Sequence, residues 1–165
     1  MNLTQIQSKV QDWATIHRTV ENWRKDDHRI VFTNGCFDLL HFGHLHLLAN
    51  ARELGDRLIV GLNSEESIRR LKGPFRPIQD NESRQFLLAG LSCVDAVVVF
   101  EEDTPLELIK WIKPDVLVKG GDWSIDQIIG AKEVMSWGGT VQSLPYLEGF
   151  STSSIEEKIK NREHE

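Results

Sequence analysis

The chain has 165 residues and a net charge of −6, from 19 basic and 25 acidic side chains, and 40% of its residues are hydrophobic. That length makes one domain able to bury roughly two thirds of its unfolded surface, and its supply of Leu, Ile, Val and Phe excludes disorder. The acidic balance excludes a nucleic-acid surface, apolar runs of only strand length exclude a membrane span, and two cysteines, Cys36 and Cys93, exclude a disulfide framework.

The N-terminus has no apolar signal core, so the expected compartment is the cytoplasm. Residues 1–28 read as a polar helical extension. Leu3, Ile6, Val10, Trp13, Ile16 or His17, Val20 and Trp23 recur at steps of mostly three or four. This stripe is expected to pack outside the domain or against another subunit. Residues 24–29 form a charged linker.

From residue 29 to 165 short apolar runs alternate with helical stretches. Strands are expected at 29–33, 58–63, 96–100, 115–118 and 140–144. Helices are expected at 43–54, 64–71 (capped by Ser64), 81–91, 104–113, 126–137 and from Ser153 onward. Thr104, Pro105 and Glu107 read as a cap, a proline at the first helical position and a capping-box glutamate. Ser153 and Glu156 read as a second capping box. Residues 72–78 (KGPFRPI) are a loop.

Strand–helix alternation predicts an α/β fold, a doubly wound parallel sheet of about five strands with helices on both faces. In such sheets ligands bind beyond the carboxyl ends of the strands. Residues 34–44, 119–123 and 148–154 follow strands directly and are expected to converge there.

Residues 34–44 (NGCFDLLHFGH) carry the most chemistry. A strand enters a glycine turn, and His41 and His44 flank Gly43 at a helix start. Free N–H groups and the helix dipole favour a phosphate at that position. Gly43 lets the backbone approach a bulky ligand. Read alone, the spacing favours His44 as a buried, hydrogen-bonded core residue and His41 as a loop residue. A zinc site lacks a third ligand, because His46 points off that face.

HxGH in this setting resembles the nucleotidyltransferase superfamily of cytidylyltransferases and related enzymes, from about residue 28 to about residue 160. Lys119-Gly120-Gly121-Asp122-Trp123 is similar to that family's second nucleotide-binding segment. Glu148-Gly149-Phe150-Ser151-Thr152-Ser153 is similar to its closing GISTT-type segment. Cytidylyltransferases for glycerol phosphate usually carry Arg-Thr where this chain has Tyr146 and Leu147, and Thr where it has Cys36. NGCFD, LKGPFRPI, CVDAVVVFEEDTP and IKPDVLVKGGDW resemble the heptose 1-phosphate adenylyltransferases instead. These form one half of the bifunctional heptose enzymes of lipopolysaccharide synthesis. Trp123 stands where Tyr is common there, and Ser153 where Thr is common.

The resemblance implies transfer of AMP from ATP to D-glycero-β-D-manno-heptose 1-phosphate, with release of pyrophosphate. It implies a stand-alone chain served by a separate heptose kinase, and a homodimer to which the Trp13 and Trp23 stripe could contribute. A cytidylyltransferase for a small polyol phosphate and a silent nucleotide-binding module are the competing readings.

Roles follow as expectations. His41 and His44 bind the ATP phosphates and stabilise the transition state, with Mg²⁺ sharing the charge. Lys72 joins them as a catalytic cation. Thr33, Asn34, Gly35, Cys36, Phe37 and Gly43 line the nucleotide site, Cys36 through its backbone N–H or merely as a turn residue. By resemblance Asp38 contacts the acceptor; the alternative is a carboxylate favoured by the helix dipole. Arg84 opposes the dipole in its own first turn, so an anion partner is expected. It and Lys72 are assigned to phosphate groups, together with Arg76. Lys119 ends a buried strand and needs a partner. Gly120 belongs to the same nucleotide segment, Asp122 could accept from ribose hydroxyls, and Trp123 could pack near the base or be plain core. Ser151, Thr152 and Ser153 could cap a helix, face an anion, or both.

Overall fold

The computed structural model describes residues 1–162. In chain order its elements are α1 (Leu3–Lys9), β1 (Val10–Gln11), α2 (Trp13–Lys25), β2 (Ile30–Gly35), α3 (Phe42–Arg52), β3 (Arg57–Asn63), α4 (Glu65–Lys72), α5 (Asn81–Ala89), β4 (Ala96–Phe100), α6 (Leu106–Ile112), β5 (Val116–Gly120), α7 (Ala131–Ser136), β6 (Thr140–Leu144) and α8 (Thr152–Arg162). The six strands form one sheet in the order β1-β4-β3-β2-β5-β6, and every pairing is parallel. The fold is the doubly wound α/β type the alternation predicts, with one strand more.

Side-chain alternation along each strand divides the core into two layers. On one face Ile30, Phe32, Ile59, Val98 and Leu117 meet Ile16 and Val20 of α2 and Leu108, Ile109 and Ile112 of α6. On the other face Val31, Leu58, Val60, Leu62, Val97 and Val118 meet Leu47, Leu48 and Ala51 of α3 and Leu88 of α5. A sheet covered on both faces needs near-continuous apolar strands, which is why VVVF and VLV carry no polar residue.

The extra strand comes from the N-terminal segment. The sequence reads it as one striped helix, but the helix breaks at Val10, which pairs with Val97 of β4. Asp12 restarts it by accepting the Thr15 N–H at 2.7 Å. Helical spacing is compatible with either arrangement, and a two-residue strand leaves no periodic trace. Trp13 is half-buried, and its indole N–H donates to the Val99 carbonyl at 3.0 Å. Trp23 lies under the Arg57 guanidinium, 5.4 Å from its ring centre.

Three further expectations change. The Thr104 and Glu107 capping box does not form, because α6 starts at Leu106 with no side-chain cap. The helix read at 126–137 is a 3₁₀ turn at Ile125–Gln127 followed by α7, the break falling at Gly130 with φ +87°. Ser151 rather than Ser153 caps α8, accepting the Ser154 N–H at 3.1 Å. Ser64 caps α4 as read, accepting from the Ser67 N–H.

The topology switches direction at β2, which has β3 on one side and β5 on the other. The carboxyl end of β2 therefore opens into the crevice where α/β sheets hold ligands. No helix among the described residues is long and apolar enough to cross a membrane.

Candidate active site

A cavity of about 370 Å³ lies across the carboxyl ends of the sheet. It runs from Asp103 and Thr104 after β4, past Asn63 of β3 and the segment from Asn34 to Asp38 at the end of β2, to Lys119 and Gly120 of β5 and Tyr146 after β6. Thr152 of α8 and Lys72 with Arg76 from the α4 side complete the wall. The three segments expected to converge do so.

His44 stands in the first turn of α3 and lines the cavity. The His41 ring stacks on it, with centroids 3.8 Å apart and planes at 20°. The Phe37 ring meets its other side edge-on at 5.1 Å. His41 ends the preceding loop, and its carbonyl accepts the His44 N–H at 3.0 Å. Among the described residues Nδ1 of both rings is buried without a hydrogen-bond partner of good geometry. Burial, the neighbouring His41 and Lys72 together lower the His44 pKa to about 4. Burial lowers that of His41 as well. An anion entering the cavity would accept a hydrogen bond from a ring N–H and favour the protonated form that burial now disfavours.

Gly43 leaves room for this stack. A Cβ there would lie 3.1 Å from the His41 ring and 3.1 Å from Phe150 Cβ. At the opposite wall a Cβ on Gly120 would sit 2.7 Å from Leu47 Cδ2 and 3.1 Å from Tyr146 Cε1.

Among the described residues two cations reach the cavity without a carboxylate partner, Lys72 at the end of α4 and Lys119 at the end of β5. Burial, with Lys72 adding repulsion, holds the Lys119 ammonium below its ordinary pKa. Lys119 Nζ lies 5.9 Å from the Trp123 ring.

Asp38 has a different set of partners from the expected one. Its carboxylate accepts the Ile78 and Gln79 N–H groups at 2.9 Å and the Arg76 guanidinium at 3.0 Å. Burial alone would raise its pKa, but these three donors outweigh burial and hold it below the usual carboxylate value. Arg76 also pairs with Glu156 of α8. Arg84 is sealed beneath the cavity floor rather than facing it. Its Nη1 donates to the Cys36 and Asn63 carbonyls at 2.9 Å each, Nη2 bonds Asn81, and Nε has no partner. In place of the expected anion, neutral backbone carbonyls just after β2 and at the end of β3 accept its N–H groups.

Asn34, Gly35, Cys36 and Phe37 line the cavity. Thr33 is fully buried behind it, with its hydroxyl unpartnered. Trp123 borders a smaller adjoining pocket of about 140 Å³ that shares Asn34 and Lys119, and its indole N–H donates to the Gly120 carbonyl at 3.1 Å. Asp122, Ser151 and Ser153 are exposed outside the cavity wall. Sequence reasoning left Asn63, Asp103, Thr104 and Ile129 out of the site. The available signal was position, because Asn63 ends a strand and Asp103 and Thr104 follow one.

Among the described residues no group of three His, Cys, Asp or Glu side chains is placed to hold a metal. With Asp38 committed to the loop, the residues present do not build a Mg²⁺ site of their own.

Residues 32–158 match the family described as Cytidylyltransferase-like. The bifunctional protein HldE of Koribacter versatilis is 54% identical over 152 residues, which cover 92% of this chain and 31% of that protein. The chain thus spans about a third of the length of the curated relatives it matches. The crystal structure of a lipopolysaccharide core biosynthesis protein from Thermoplasma volcanium is 30% identical, with a TM-score of 0.58 over 73% of this chain and 97% of that one. Pantoate-beta-alanine ligase from Francisella tularensis shares the fold at 16% identity, with a TM-score of 0.59 over 92% of this chain and 76% of that one.

Proposed function

The chain belongs to the cytidylyltransferase-like family, and from that premise we propose that it transfers AMP from ATP to heptose 1-phosphate, giving ADP-heptose and pyrophosphate. The observation that carries the reading is His44, which lines a cavity that also holds Lys72 and Lys119 and is backed by the stacked ring of His41, itself outside the cavity wall.

A phosphate oxygen of the sugar attacks the α-phosphorus, and the bond to the β-phosphate oxygen breaks. The protein need supply only alignment and positive charge for this step. His44 donates to the phosphate chain from the first turn of α3, where the helix N-terminus adds its partial charge. His41 supports the ring by stacking and supplies the second imidazole. Lys119 on the β5 side and Lys72 on the β3 side neutralise charge as the pyrophosphate separates. Asn34, Gly35 and the backbone of Cys36 border the nucleotide, and Trp123 closes the adjoining pocket. Any Mg²⁺ would be held by the ATP phosphates and would share their negative charge.

The similarity of about half the residues to HldE supports the heptose acceptor. Tyr146 and Leu147, in place of the Arg-Thr of glycerol phosphate enzymes, support ATP over CTP. We further propose a homodimer through the exposed apolar patch of Phe42 and Leu45, bordered by Leu40 and Leu91.

The test is pyrophosphate release with ATP, CTP, GTP and UTP crossed against sugar 1-phosphates and polyol phosphates. Turnover with ATP and heptose 1-phosphate is expected. A preference for CTP with glycerol 3-phosphate overturns the reading. Tight ATP binding without turnover on any acceptor favours a silent module.

A further inference from the structure

Helix α8 brings Thr152 to the cavity, yet none of residues 152–161 is fully buried. Two features attach it to the body. Phe150, just ahead of it, meets the Phe42 ring edge-on at 5.4 Å. One turn into the helix, Glu156 pairs with the Arg76 guanidinium. That pair is half-buried, at 19% and 26% side-chain exposure, whereas the Arg70–Asp103 pair nearby is open at 49% and 60%.

Arg76 in turn bonds Asp38, and Asp38 holds the backbone of Ile78 and Gln79. One guanidinium therefore joins three chain segments: the turn after β2, the loop after α4, and α8. All three border the same cavity. The cluster sums to one positive and two negative charges. Arg76 is spent as a crosslink, and the cations left for an anion are Lys72 and Lys119.

We infer that Glu156 is a positioning residue for nucleotide binding. Through Arg76 it fixes α8 to the loop that Asp38 anchors, and so holds Thr152 at the cavity wall. Glu156 itself lies outside that wall and touches no substrate. The inference rests on the nucleotide-binding reading above. A charge-assisted pair shielded in this way resists salt better than an exposed one, so a single bond can set the orientation of an otherwise thinly held helix.

Glu156→Gln keeps the size of the side chain and removes its charge. In the ligand-free full chain, amide exchange in residues 152–161 is expected to quicken by about tenfold while the β2, β3 and β5 amides are unchanged. Affinity for whichever of ATP, CTP, GTP and UTP the wild type binds best is expected to fall about tenfold by calorimetry, with kcat within about threefold. Glu156→Gln placed on an Arg76→Gln background should add nothing further, as expected of two residues acting as one unit.

Unchanged exchange in α8, an affinity within about twofold of wild type, or additive losses in the double variant overturn the inference. A wild type that prefers CTP defeats the adenylyl reading alone, and the tether is then judged with CTP. A wild type that binds no nucleotide overturns both, because nothing is left for the helix to position.

Discussion

On the β2 side of the cavity the polar groups are tied into the body. Asp38 is held by two backbone N–H groups and Arg76, Arg84 spans the ends of β2 and β3 from below, and His44 is sandwiched between two rings. On the α8 side Ser151 and Ser153 are exposed, and the Arg76–Glu156 pair and Phe150 make the attachment. The contrast separates two jobs that a list of motif residues merges. Preorganised donors for a transition state belong on rigid elements, while a wall that must admit a triphosphate can be held by a single crosslink.

The sharpest way to break this comparison is at the rigid flank. His44→Ala is expected to lower kcat by about 10³-fold, the magnitude of one lost preorganised donor, with nearly unchanged stability in urea. Activity within a few-fold of wild type at saturating ATP and Mg²⁺ would remove His44 from the mechanism. Next in size is Arg84→Leu, which strands the Cys36 and Asn63 carbonyls. It should destabilise the ligand-free protein by about 3 kcal/mol in urea unfolding. A loss of ATP affinity with full stability would return Arg84 to the phosphate site.

A smaller effect comes from protonation. Folded His44 titrates at about 4 against an ordinary value of 6.5. Between those values the unfolded chain binds a proton that the folded chain does not, so stability falls as pH drops from 6.5 towards 4. His44→Gln should reduce that fall, leaving the share that His41 carries. A bound polyphosphate raises the imidazole pKa, so ATP binding at pH 5.5 should take up about one proton at most, read by calorimetry in buffers of different ionisation enthalpy. Uptake that persists in His44→Gln would assign it elsewhere. The smallest effect is expected at the loose flank: Ser151→Ala removes an exposed cap and should cost under about 1 kcal/mol of stability.

The same division explains what was legible in the sequence. The strands, the parallel sheet and the convergence of three segments follow from apolar runs and glycine turns, which are local signals. The HxGH turn was readable because its spacing fixes two rings on one helix start. The β1 strand was not, because Val10 fits a helical stripe as well as a ladder. Asn63, Asp103 and Thr104 reach the cavity only through the order of the strands. The charged residues were found, but not their use. Only the fold shows that backbone N–H groups claim Asp38, that carbonyls claim Arg84, and that two carboxylates claim Arg76.

The central claim is that this cavity joins AMP to a sugar phosphate. The most direct measurement supplies ATP labelled at the α-phosphorus together with heptose 1-phosphate and follows the label. The account predicts that it appears in a sugar nucleotide in step with pyrophosphate, and that this stops with His44→Ala. Label recovered as free AMP or ADP, or a sugar nucleotide formed from CTP in preference to ATP, would contradict it.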